Sequence, residues 1–99
     1  MASPYLRIRI PSDLHLALRV QAAHVDLNAG RLSRAFVTAW LAARVDVAPV
    51  PEGIAHVRVP LSQTAQREVR IEAARRGVAV SALVAGVLRG ALAAVSVNP

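Results

Sequence analysis

The sequence predicts a mainly α-helical chain with two short β-strands, laid out as strand–helix–helix twice over. Three observations carry this. Tyr5-Leu6-Arg7-Ile8-Arg9-Ile10-Pro11 alternates strictly, with Leu6, Ile8 and Ile10 on one face and Tyr5, Arg7 and Arg9 on the other. That period of two marks a half-buried strand. A second segment, Ile54-Ala55-His56-Val57-Arg58-Val59-Pro60, repeats the pattern, with Ala55, Val57 and Val59 apolar and Ile54, His56 and Arg58 opposite. Two stretches of helical periodicity then follow each strand.

Pro11 closes the first strand, and Ser12 is the expected N-cap of a helix over residues 13–25, with Asp13 placed to suit the helix dipole. Leu14, Ala17, Leu18, Ala22 and Val25 form its inward stripe, and Leu16 and Val20 are expected to widen the buried face. Residues 26–30 (Asp-Leu-Asn-Ala-Gly) carry turn chemistry. A second helix is expected over 31–44, with Leu32, Phe36, Val37, Trp40 and Leu41 inward. Residues 45–53 hold Pro49, Pro51 and Gly53 and read as an extended linker, long enough to span roughly 30 Å.

After the linker the order recurs. Strand 55–59 ends at Pro60, Ser62 caps a helix over 63–76 with Ala65, Val69, Ala73 and Ile71 inward, and Gly77 stops it. Ser81 is the expected N-cap of a last helix over 82–94, with Leu83, Val84, Val87, Leu88, Ala91 and Leu92 inward. The halves align residue by residue, at an offset of 49 from Ile8 to Val57 and of 51 from Val20 to Ile71, so two extra residues lie between strand and helix in the second copy. The division is thus residues 1–44, a linker 45–53, and residues 54–99.

Composition narrows the function. Twelve basic residues, all arginine, face six acids, for a net charge of +6, which implies a polyanionic partner, nucleic acid before membrane. Arginine offers a planar fork to phosphates and guanine edges. The absence of cysteine excludes disulfides and thiolate chemistry and suits a cytoplasmic protein. No signal peptide is visible, and residues 78–97, although apolar, contain Arg89, Ser81, Gly86 and Gly90 and read as a buried core helix rather than a membrane span. With 55% hydrophobic residues in 99, a dimer-like core is expected. There is no nucleophile elbow and no Gly-rich phosphate loop, the acids are scattered, and His15 and His24 are too far apart to share a metal on one helical turn. Neither an enzyme nor a metal or cofactor site is expected.

Strand, proline, helix, short turn and helix in so few residues, twice, resembles the ribbon-helix-helix family of DNA-binding proteins. The resemblance covers the chain apart from the linker and both ends. It implies an α-rich fold in which the two strands pair as an antiparallel β-ribbon, both protomers of a dimer being fused in one chain as an intramolecular pseudo-dimer. It implies a cytoplasmic, nucleoid-associated prokaryotic protein that inserts the ribbon into the major groove of double-stranded DNA as a transcriptional repressor, with further copies binding side by side. The base-contacting residues are then Tyr5, Arg7 and Arg9 from one strand and Ile54, His56 and Arg58 from the other, with the first strand favoured. The family also anchors phosphate at the start of each copy's second helix. The matching positions are Ala29, Gly30 and Arg31, with Arg34 adding charge, and Val80, Ser81 and Ala82. Gly30 is expected to let a phosphate approach closely. The second reading is an antitoxin-type or plasmid or phage accessory protein, one repeat serving protein–protein contact. Family antitoxins carry an extra C-terminal segment for a toxin, and here few residues follow the last helix, so a toxin partner is not favoured.

Overall fold

Strand β1 (Tyr5–Ile10) pairs antiparallel with β2 (Ala55–Pro60), Leu6 facing Val59, Ile8 facing Val57 and Ile10 facing Ala55. The structure, a computed structural model, describes residues 3–97; Met1, Ala2, Asn98 and Pro99 lie outside it. Pairing fills the inner edge of each strand, whose backbone groups would otherwise stay open. Alternation does the rest: Leu6, Ile8, Ile10, Val57 and Val59 are buried, and the residues between them are exposed. Burying a side chain such as Ile8 completely contributes about 1.5–3 kcal/mol.

Four helices cover the apolar face: α1 (Ser12–His24), α2 (Ala29–Ala43), α3 (Gln63–Arg76) and α4 (Val80–Val97). The chain is therefore mainly helical with one two-stranded antiparallel sheet. Helix α2 packs on β2 and α4 on β1, so each strand is backed by the second helix of the other half. Leu14, Leu18 and Ala22 of α1, Leu32, Val37 and Trp40 of α2, and Val69 and Ala73 of α3 close the core around α4. Helix α4 is buried continuously from Leu83 to Leu88, wider than its expected stripe, because the linker crosses its outer side. The Val50 N–H donates to the Ala82 carbonyl at 3.1 Å, Val50 is itself buried, and a side chain at Gly86 would collide with the Ala48 carbonyl. No single helix among the described residues is long and apolar enough to cross a membrane.

Several local expectations change. Ser12 does not cap α1. Pro11, with φ −58° and ψ 147°, leads from strand to helix with no intervening residue, so Ser12 already lies in the first turn and no side chain caps that end. The two extra residues of the second half are Leu61 and Ser62. Ser62 caps α3 by accepting from the Ala65 N–H at 3.1 Å, and Leu61 is buried. Helix α2 begins two residues earlier than expected because Asn28 caps it, its Oδ1 accepting from the Arg31 N–H at 2.8 Å. Helix α4 starts at Val80, placing Ser81 inside the helix rather than at its cap. Gly77 ends α3 at φ 67°, a left-handed conformation glycine adopts without strain.

Leu16 and Val20 do not widen a buried face: they are 58% and 51% exposed, and Val25 and Ile71 also face outward. Ala17 is exposed too. One stripe of α1 reaches the core, and no element among the described residues covers Leu16 or Val20.

Candidate functional site

The outward face of the ribbon carries Tyr5, Arg7, Arg9, His56 and Arg58, all exposed. Register fixes how they meet: Tyr5 faces Pro60, Arg7 faces Arg58, and Arg9 faces His56. Arg7 and Arg58 are like charges directly opposite each other, an arrangement that destabilises a sheet unless an anion sits between them. Neither makes an ion pair among the described residues. A shallow depression of about 120 Å³ is lined by Arg7, His56, Val57 and Arg58. Ile54 precedes β2, has no cross-strand partner in the ribbon, and is 78% exposed.

Beside the ribbon lies a larger open groove of about 610 Å³, bounded by Tyr5 and Arg58, by the start of α2 (Asn28, Gly30, Arg31 and Arg34), and by His15 of α1. Arg31 and Arg34 likewise have no carboxylate partner among the described residues. The Arg31 N–H is spent on Asn28. The first helical N–H groups point along the helix axis with its positive dipole end. Gly30 plays a part different from the expected one. A Cβ there would lie 2.6 Å from the Arg58 carbonyl oxygen, so its lack of a side chain lets the backbone of β2 approach α2.

Val80, Ser81 and Ala82, at the start of α4, are half-buried. The Ser81 hydroxyl accepts the Arg9 N–H at 3.1 Å, and the Ala82 carbonyl receives the linker N–H of Val50. This helix start is fastened to β1 on one side and to the linker on another. The two helix starts thus differ: arginines and an open groove flank the first, intrachain contacts the second.

Five other arginines are paired with carboxylates, whereas Arg19, Arg67 and Arg70 have no such partner among the described residues. Arg9 lies 3.8 Å from the Glu52 carboxylate of the linker, both half-exposed. Arg89 meets Asp13 at 3.5 Å. Arg44, Arg75 and Arg76 gather on the buried Glu72, with Glu68 also accepting from Arg44 and Asp46 3.7 Å from Arg76. The hydrogen bonds that Arg44 donates to Glu68 and Glu72 raise its pKa above the ordinary value, although burial opposes this. Burial pushes the Glu72 carboxyl upward, but hydrogen bonds from Arg44 and Arg76 and the charge of Arg75 outweigh it and hold the carboxyl below its ordinary value. Arg76 also stacks over the Trp40 ring at 5.1 Å, and the Trp40 Nε1–H donates to the Val45 carbonyl at 2.8 Å. This cluster clasps the end of α2 and the start of the linker to α3. It also holds Arg44 in its left-handed conformation, φ 53°.

Sequence reasoning missed three residues beside this surface: His15, Asn28 and Glu52. Asn28 carries a signal, being an N-cap residue type three positions before Arg31. His15 comes to the groove only through helix packing, and Glu52 comes to Arg9 only through the path of the linker. Comparison with family models, with curated proteins and with solved structures returned no match for this chain.

Proposed function

We propose that the chain is a sequence-specific double-stranded DNA-binding protein of the ribbon-helix-helix type, a prokaryotic cytoplasmic transcriptional repressor, whose two halves act as a pseudo-dimer. The observation that carries this is the Arg7–Arg58 pair, two unpartnered cations opposed at the middle of an outward ribbon face. A duplex supplies what that pair lacks. A two-stranded ribbon fits the major groove, where arginine forks bond guanine O6 and N7. Arg31 and Arg34 beside the groove suit flanking phosphates, which fix register without reading sequence.

The pseudo-dimer draws on the register and on the repeat together. Ile8 and Val57, equivalent in the two halves, face each other across the ribbon, as a two-fold axis between them requires. Leu18 and Val69, Ala22 and Ala73, Leu32 and Leu83, and Val37 and Leu88 are equivalent pairs buried in both halves. The outward faces of the two strands differ, so the preferred site is non-palindromic. Nothing in this reading calls for catalysis or a cofactor.

The test is duplex binding at stated salt, with Arg7→Ala and Arg58→Ala each expected to weaken affinity for the preferred site by about 1–3 kcal/mol and to relax its sequence preference. Unchanged affinity and preference in either variant defeat the reading. The alternative, an antitoxin-type or accessory protein with one repeat devoted to protein contact, draws on exposed Leu16 and Val20 of α1. Leu16→Glu abolishing a stoichiometric protein complex while sparing duplex binding favours it.

A further inference from the structure

Resting on the DNA-reading proposal, we infer that Glu52 of the linker is a specificity residue, reading a single G·C base pair together with Arg9. The backbone that carries Glu52 is held on both sides. Two residues before it, Val50 is buried and its N–H is bound to the Ala82 carbonyl. One residue after it, Gly53 lies so close to Ile10 and Pro11 that no side chain fits between them. The linker is thereby pinned against the end of β1, and Glu52 stands 3.8 Å from the Arg9 guanidinium with its own side chain 47% exposed. The Arg9 backbone is fixed as well, since its N–H is bound to the Ser81 hydroxyl.

The result divides the ribbon into two unlike ends. Arg7 and Arg58 oppose each other and make no ion pair among the described residues, and Arg31 and Arg34 line the groove beside Arg58. Around Arg9 a carboxylate offsets the guanidinium, and His56 lies opposite. A carboxylate facing DNA repels phosphate and accepts hydrogen bonds without donating any. It is tolerated in the major groove where a base offers an amino donor, as cytosine N4 does. A G·C pair displays N7 and O6 acceptors beside the N4 donor. Arg9 supplies donors to the guanine, and Glu52 supplies the acceptor to the paired cytosine. An A·T pair places its amino donor between two acceptors and does not match.

The experiment selects bound duplexes from a random pool with the full chain, then measures binding of the best duplex with each base pair replaced in turn. Wild type, Glu52→Ala, Glu52→Gln and Arg58→Ala are compared at one salt concentration, with thermal melts confirming that each is folded. The expected result for Glu52→Ala is loss, on the order of tenfold, of preference for G·C at a single position, together with tighter binding to random duplex as a negative charge leaves the interface. Glu52→Gln, which keeps an acceptor oxygen, retains part of the preference and shares the tighter random binding. The inference is overturned if Glu52→Ala keeps the wild-type preference at every position while Arg58→Ala loses affinity; the DNA-reading proposal then stands alone. If Arg58→Ala also binds every duplex as wild type does, that proposal fails and the role of Glu52 falls with it.

Discussion

Replacing Arg58 by methionine separates folding from binding. Methionine keeps an unbranched stem and removes the charge and all five donors. Arg58 stands directly opposite Arg7 on the exposed face. At a separation on the order of 7 Å, two unit charges in water repel by about 0.6 kcal/mol, and screening at physiological salt cuts this to about 0.2–0.3 kcal/mol. Losing Arg58 therefore leaves the fold unharmed or stabilises it by up to about 0.6 kcal/mol, most at low salt. Affinity for the preferred duplex moves the other way, by about 1–3 kcal/mol, or roughly 5- to 150-fold. Urea unfolding followed by circular dichroism reads the first quantity, at low and at high salt, and fluorescence anisotropy with a labelled duplex reads the second. A variant destabilised by more than about 1 kcal/mol, with duplex binding intact, refutes the reasoning: Arg58 is then a structural residue of the sheet.

Three further predictions concern the scaffold. Gly30→Ala sets a methyl 2.6 Å from the Arg58 carbonyl oxygen and should cost about 1–3 kcal/mol by overpacking, read as a lower urea midpoint. Ile8→Ala empties the middle of the core, where Ile8 is 1% exposed, and should cost about 2–5 kcal/mol, read as a much lower urea midpoint. Glu72 is held below its ordinary pKa by arginines, so its contribution is complete above the usual carboxylate range and is lost as pH falls through its folded value. Glu72→Gln should therefore flatten the loss of stability as pH falls from the ordinary carboxylate range downward, and parallel curves for variant and wild type count against this.

The ribbon was legible in the sequence because alternation has one physical solution. With Leu6, Ile8 and Ile10 turned inward, Arg7 and Arg9 must turn outward. The linker was legible as extended chain, but not as a packed element, since Val50 and Gly53 show their partners only once α4 and β1 are in place. The same limit explains Leu16 and Val20. Periodicity marks which residues of a helix share a face, whereas burial depends on how many neighbours the fold provides. Gly30 and Ser81 illustrate a third kind of gap. Both sit at the helix starts where an anion site was expected, and in each case the strand backbone is the nearest partner, through the Arg58 carbonyl at one and the Arg9 N–H at the other. Arg44 joins Glu68, Glu72 and Arg76 across 24 to 32 positions, a distance at which no local pattern operates, whereas the Glu72–Arg76 pair lies within one helix at i,i+4.

The central claim is that the outward ribbon face reads double-stranded DNA. Selection from a random duplex pool at a fixed, stated salt concentration, with wild type and an Arg7→Ala, Arg58→Ala double variant in parallel, tests it most directly. The wild type should enrich a short non-palindromic motif that the variant loses. A pool that stays random with the wild type, or an identical motif recovered by the folded double variant, contradicts the claim.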